Sequence, residues 1–133
     1  MSNISGNKMG THKQLEVWKN SIELVKEVYR LTAGFPREEI FGLTSQLRRS
    51  AVSVPANISE GSARIRVAEF IHFLRISFGS LSELETLLII SNELNYLSNE
   101  DFKVLHNKIK LITVQISSLI HVLEKKKEKL NNH

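Results

Sequence analysis

The sequence has no cysteine, and only two prolines and six glycines in 133 residues. Without cysteine there can be no disulfide framework, thiolate metal site or cysteine nucleophile. Glycine and proline together make up about 6% of the chain, roughly half their usual share of about 12%. An all-β sandwich or barrel spends these residues on a turn every ten residues or so, so this chain is too poor in them for that class. The longest purely apolar run, Leu87 to Ile90, is far short of a membrane span. No apolar core follows Lys8 near the start, as a secretory leader would require. A cytoplasmic protein is the expectation. Residues 1–10 read as a flexible tail, with Met9 as a second possible start, and residues 131–133 as a short C-terminal tail.

What is present is aliphatic and charged, enough to fold without staples as one domain over residues 11–130. Thr11-His12-Lys13-Gln14 fits a helix-opening capping box. Leu15, Trp18, Ile22, Val25 and Tyr29 follow at helical spacing, until Ala33-Gly34-Phe35-Pro36 ends the run. A second helix over about Leu43–Ser62 carries Leu47, Ala51, Val54 and Ile58, with Pro55 inside it as a point of kinking. A third over about Ile65–Tyr96 is anchored by Phe70, Leu74, Phe78, Leu81, Leu84 and Leu88. Ser77, Gly79, Ser80 and Ser82 form a small-residue patch in its middle; glycine in a helix interior costs about 1 kcal/mol against alanine, and a close helix crossing at this patch is the expected compensation. Ser98-Asn99-Glu100-Asp101 opens the fourth. Its stripe, Phe102, Leu105, Ile109, Ile112, Ile116, Leu119 and Leu123, is the cleanest heptad in the chain. Four amphipathic segments with short connections predict an all-α, antiparallel up-down-up-down four-helix bundle.

The net charge of +4 hides an uneven distribution. Residues 43–75 hold five basic and two acidic groups, 76–101 none and five, and 102–133 seven and two. A purely acidic stretch between basic ones suits an anionic partner, or a head-to-tail contact between copies of the chain. Along the second segment Gln46, Arg49, Ser53, Asn57, Glu60 and Arg64 recur at helical spacing as a polar face without lysine. They read either as a network fixing helix register or a subunit contact, or as a contact to RNA or another ligand. Arg49 could pair with Asn57 or Glu60, or with Glu83 or Glu85. Glu69-Phe70-Ile71-His72 holds one Glu-x-x-His pair, but a di-iron bundle needs two, so no metal is expected. Neither a phosphate loop nor a general base beside an obvious nucleophile is seen, so no cofactor and no enzymatic role are expected.

Arg48, Arg49, Arg64 and Arg66 are the candidate nucleic-acid contacts, since the guanidinium fork suits phosphate, with Lys125, Lys126, Lys127 and Lys129 as non-specific support. Few aromatics are available for stacking bases, and Phe70, Phe73 and Phe78 are expected to fill the core. Direct nucleic-acid binding and a role in protein assembly both stand.

Leu15-Glu16-Val17-Trp18, Tyr29, Phe35-Pro36, Glu39, Gly42-Leu43, Gln46-Leu47-Arg48-Arg49 and Ser53-Val54-Pro55-Ala56-Asn57-Ile58-Ser59-Glu60-Gly61 occur in order, then Arg64, Glu69-Phe70, Phe73-Leu74, Gly79-Ser80 and Glu83-Leu84-Glu85. Over about residues 13–125 this resembles the bacterial four-helix-bundle family of 23S rRNA intervening-sequence proteins, with Ser59 where the family usually has alanine. The resemblance implies an up-down bundle that assembles into a ring-shaped homopentamer, in a family most of whose members have no established activity. A related member, the accessory protein of diversity-generating retroelements, is a basic pentamer that binds nucleic acid and works with a reverse transcriptase. It follows as an expectation that this chain binds RNA or DNA as a homo-oligomer, or instead serves as a scaffold recruiting another protein, such as a reverse transcriptase. Within such a ring, Glu83, Glu85 and Glu93 are expected to lie near basic groups of a neighbouring subunit.

Overall fold

The computed structural model describes residues 11–132. The tail expected at 1–10, the alternative start at Met9 and the side chain of Thr11 lie outside the described residues. Four helices follow in order: α1 (Thr11–Thr32), α2 (Leu43–Ser62), α3 (Val67–Glu93) and α4 (Asn99–Asn131), with a short 3-10 turn over Arg37–Glu39 before α2. Each helix packs on its neighbours in sequence, and α4 closes the bundle against α1. Contacts between adjacent helices run in opposite directions. Lys13 reaches Ser118 while Asn20 reaches Gln115; Arg75 meets Glu124 while Glu85 meets His106. This is the antiparallel bundle that the spacing predicts.

The core follows the α2 and α4 stripes closely. Leu47, Ala51, Val54 and Ile58 are fully buried, as are Leu105, Ile116, Leu119 and Leu123. On α1 the buried line is Gln14, Val17, Ser21, Leu24 and Val28, one residue round from the expected stripe. Leu15, Trp18, Ile22 and Val25 are only half-buried and Tyr29 is exposed. The cause is a wide apolar arc: α1 carries two adjacent rows, and its smaller residues face the core. On α3, Phe70, Leu74, Leu81, Leu84 and Leu88 are buried as expected, but Phe78 lies at the surface and Phe73 is half-buried.

The close approach expected at the small-residue patch is made by Ser77 and Ser80, which hydrogen-bond α2, and by Gly61 on α2, whereas Gly79 takes no part in it. A Cβ added at Gly61 would lie 2.8 Å from both Phe70 Cδ1 and Phe73 Cβ, whereas one at Gly79 would meet nothing within 4 Å. Gly79 therefore faces outward, with no neighbour among the described residues closing on it.

Helix ends are set by identifiable groups. The Ser98 side chain accepts from Asp101 N–H at 3.1 Å, as the opening signature of α4 predicts. α3 stops three residues short of the expected Tyr96 because Asn95 turns left-handed, with φ 64°. Tyr96 N–H then bonds Ser91 C=O and Asn95 N–H bonds Asn92 C=O, the Schellman arrangement with asparagine in the glycine position. Glu39 ties two loops together: one carboxylate oxygen accepts from Leu43 N–H at 3.1 Å and the other from Tyr96 O–H at 3.3 Å. The Tyr96 ring also packs against Phe35, 5.7 Å between centroids. Burial first, and then the Glu39 charge, hold the Tyr96 hydroxyl above its ordinary pKa.

Two outcomes follow for stability, read by urea unfolding at fixed protein concentration. Gly61→Ala forces its methyl into the α3 backbone and an aromatic ring and should cost about 1–3 kcal/mol. Glu39→Ala removes the acceptor at the start of α2 and should cost about 1 kcal/mol, with Glu39→Gln losing less because its carbonyl can still accept from Leu43.

Candidate functional site

The polar face of α2 divides into parts with different partners. Asn57 Nδ2 donates to Ser53 C=O at 2.8 Å and to Ser53 Oγ at 3.0 Å, and that hydroxyl pairs with Ser80 Oγ on α3 at 2.8 Å. One turn away, Ser77 Oγ donates to Val54 C=O at 2.9 Å. These bonds join α2 to α3 beside the buried Pro55, and they leave Ser53 and Asn57 engaged in register. Gln46 and Arg49 do not join them: both are exposed, and Arg49 has no hydrogen bond or ion pair among the described residues. Glu60 instead pairs with Arg64 at 2.6 Å, one helical turn on.

The candidate arginines also separate. Arg48 is half-buried; its Nε donates to Thr32 Oγ1 at 2.9 Å, and its guanidinium lies 4.6 Å from the centre of the Tyr29 ring. It holds the last turn of α1 against α2, where a cation also suits the carboxyl end of the helix dipole. Arg64 packs 4.9 Å from the Phe73 ring centre while bonding Glu60. Arg66 precedes the first turn of α3 with an extended backbone and an exposed side chain.

Antiparallel packing gathers Arg64, Arg66 and the Lys125–Lys129 run at one end of the bundle. The Arg75–Glu124 pair, 2.9 Å, sets the register: eight residues back along α3 is Val67, and a similar distance forward along α4 lies its last turn. Residues 60–75 and 124–129 bring seven lysines and arginines to this end against four carboxylates. Glu60 and Glu124 are already paired, with Lys127 4.0 Å from Glu124. Arg66, Lys125, Lys126 and Lys129 have no acidic partner among the described residues. Arg48 and Arg49 lie toward the opposite end, in the second turn of α2.

Of the acidic set, Glu85 is engaged within the chain. Its carboxylate is 3.0 Å from His106 Nε2, and that ring stacks on Phe102 at 5.3 Å. Glu83 and Glu93 are exposed without partners among the described residues. Glu69 and His72 both face solvent, and no group of three or more acidic or histidine side chains among the described residues is arranged to hold a metal. No helix is long and apolar enough to cross a membrane, among the described residues.

One surface had no counterpart in the spacing argument. Tyr29, Ile40, Phe41, Arg48, Arg49 and Val52 line a groove of about 430 Å³ between α1, the 3-10 turn and α2. The signal available for it was the apolar pair Ile40-Phe41 standing just outside the helical stripe.

A family model described as 23S rRNA-intervening sequence protein matches residues 13–118. A crystal structure of a protein of unknown function from the S23 ribosomal protein family of Bacteroides thetaiotaomicron is similar in fold, with a TM-score of 0.75 and 26% identity, covering 82% of this chain and 98% of that one. No curated protein matches the chain.

Proposed function

Because the chain belongs to the family of 23S rRNA-intervening sequence proteins, we propose that it is a non-enzymatic, cytoplasmic binding protein that self-associates and takes up RNA or DNA at its cationic end. The observation that carries this reading is the gathering of Arg66, Lys125, Lys126 and Lys129 at one end of the bundle without acidic partners among the described residues. Unpaired cations at the helix ends meet a phosphate backbone with no internal ion pair to break first, and each neutralised phosphate releases counterions. Arg64 adds a fork already oriented by the Phe73 ring. Arg48, by contrast, is committed to Thr32 and Tyr29 and serves the fold.

A second reading, an assembly scaffold without nucleic-acid contact, is favoured by a different observation. Phe41 and Ile65 are each 95% exposed, which suits association with protein. Self-association is common to both readings, and the ring of five subunits implied by the family resemblance gives it a definite mass.

The readings separate in a salt titration of binding to structured RNA and duplex DNA. Nucleic-acid uptake requires affinity to fall linearly on a log–log plot, with a slope near 0.9 per phosphate neutralised on duplex DNA. Replacing Lys125, Lys126 and Lys129 together by alanine should flatten that slope by about 2–3. Absence of binding at low salt overturns the nucleic-acid reading and leaves the scaffold. Light scattering behind size exclusion tests self-association independently, and a monomer at every concentration overturns it.

A further inference from the structure

The groove beside the second turn of α2 is not used by the cationic end. Phe41 in it is 95% exposed, Ile40 53%, Tyr29 43% and Val52 42%. Covering side chains of this kind removes apolar surface from water, so the groove gains most from an apolar occupant. Its charged lining is Arg48 and Arg49 with no carboxylate, and Arg49 is unpaired among the described residues. The occupant must therefore be acidic as well as apolar.

The same molecule carries a face of that composition. On the outer side of α3, Ile76, Glu83 and Ile90 recur every seven residues, and Leu94 lies one turn further. Ile76, Ile90 and Leu94 are 39%, 41% and 49% exposed. Glu83 has no partner among the described residues, and residues 76–101 contain no lysine or arginine. Gly79 is on this face too, with open space where a Cβ would stand, so another backbone can approach there.

We infer that the groove around Phe41 and Arg49 in one copy receives the outer face of α3 from a second copy, head to tail. This rests on the self-association in the reading above and names the surfaces that perform it. The two surfaces differ, so the contact is heterologous and propagates until a ring closes. A single nucleic-acid strand fits the groove less well. Aliphatic Ile40 and Val52 supply much of its apolar lining, whereas such strands are held by successive aromatic platforms.

The absence of cysteine makes the test direct. Chains carrying Phe41→Cys and Ile90→Cys are mixed and oxidised, with Leu111→Cys on exposed α4 replacing Ile90→Cys as the control. The mixed pair should give a cross-linked dimer well above the control. In parallel, Arg49→Glu should raise the concentration for half-assembly at least tenfold, and adding Glu83→Lys to that chain should recover most of the loss. Both positions are exposed, and circular dichroism checks that the helices persist. A wild-type chain that never assembles sinks the self-association reading itself. Assembly of the wild type without the specific cross-link, or an Arg49→Glu chain of unchanged mass, overturns only this assignment of surfaces. Arg49→Glu that weakens RNA binding while leaving the mass intact gives the groove to nucleic acid and likewise overturns it.

Discussion

The close approach of α2 to α3 is the constraint from which the rest of the bundle takes its register. At Gly61 the two helices are so near that a methyl group would lie 2.8 Å from Phe70 and Phe73. Along the same seam Ser53, Ser77 and Ser80 replace large side chains with hydrogen bonds between the helices. Small residues allow the approach, and buried hydroxyls that must find partners make one register better than its neighbours. A hydrophobic stripe alone would tolerate a slip by a turn. With α2 and α3 locked, the Arg64–Arg66 turn is fixed at one end, and the Arg75–Glu124 pair brings the lysines of α4 to the same end.

Helices were easiest to read where one apolar row had no equal. On α4 one unbroken heptad outweighs the shorter row of Val104, Leu111 and Val114, and its buried residues are the expected ones. α1 has two adjacent rows, and spacing cannot say which one a four-helix corner will take. The choice falls to the row with smaller side chains, leaving Trp18 half-buried at the side. Phe78 and Gly79 are the instructive departures on α3. An aromatic at helical spacing and a glycine in a helix interior both read as inward features, yet both face outward. Local sequence carries periodicity; which face is inward depends on the partner helices.

The candidate site was legible by composition and not by grouping. The polar residues of α2 do lie on one helical face, but hydrogen bonding separates them: Ser53 and Asn57 lock the seam, Glu60 serves Arg64, and Arg49 has no partner among the described residues. Basic residues distant in sequence reach the same end of the bundle only through antiparallel packing, so spacing along one helix could not group Arg66 with the lysines of α4. The groove at Phe41 was hidden for a similar reason, since its walls come from α1, a 3-10 turn and α2.

The tie between Glu39, Leu43 and Tyr96 bears on how the bundle breathes. Two of the three helix connections lie at that end, clasped by one carboxylate and a pair of packed rings. Only the α2–α3 turn crosses the other end, where the last turns of α4 are largely solvated. Amide exchange should therefore be graded along the bundle axis, slow near the clasp and fast near the lysines. An anionic polymer seated on the fast-exchanging end would quiet fluctuations that the free protein leaves open, and its affinity would include the entropic cost of doing so.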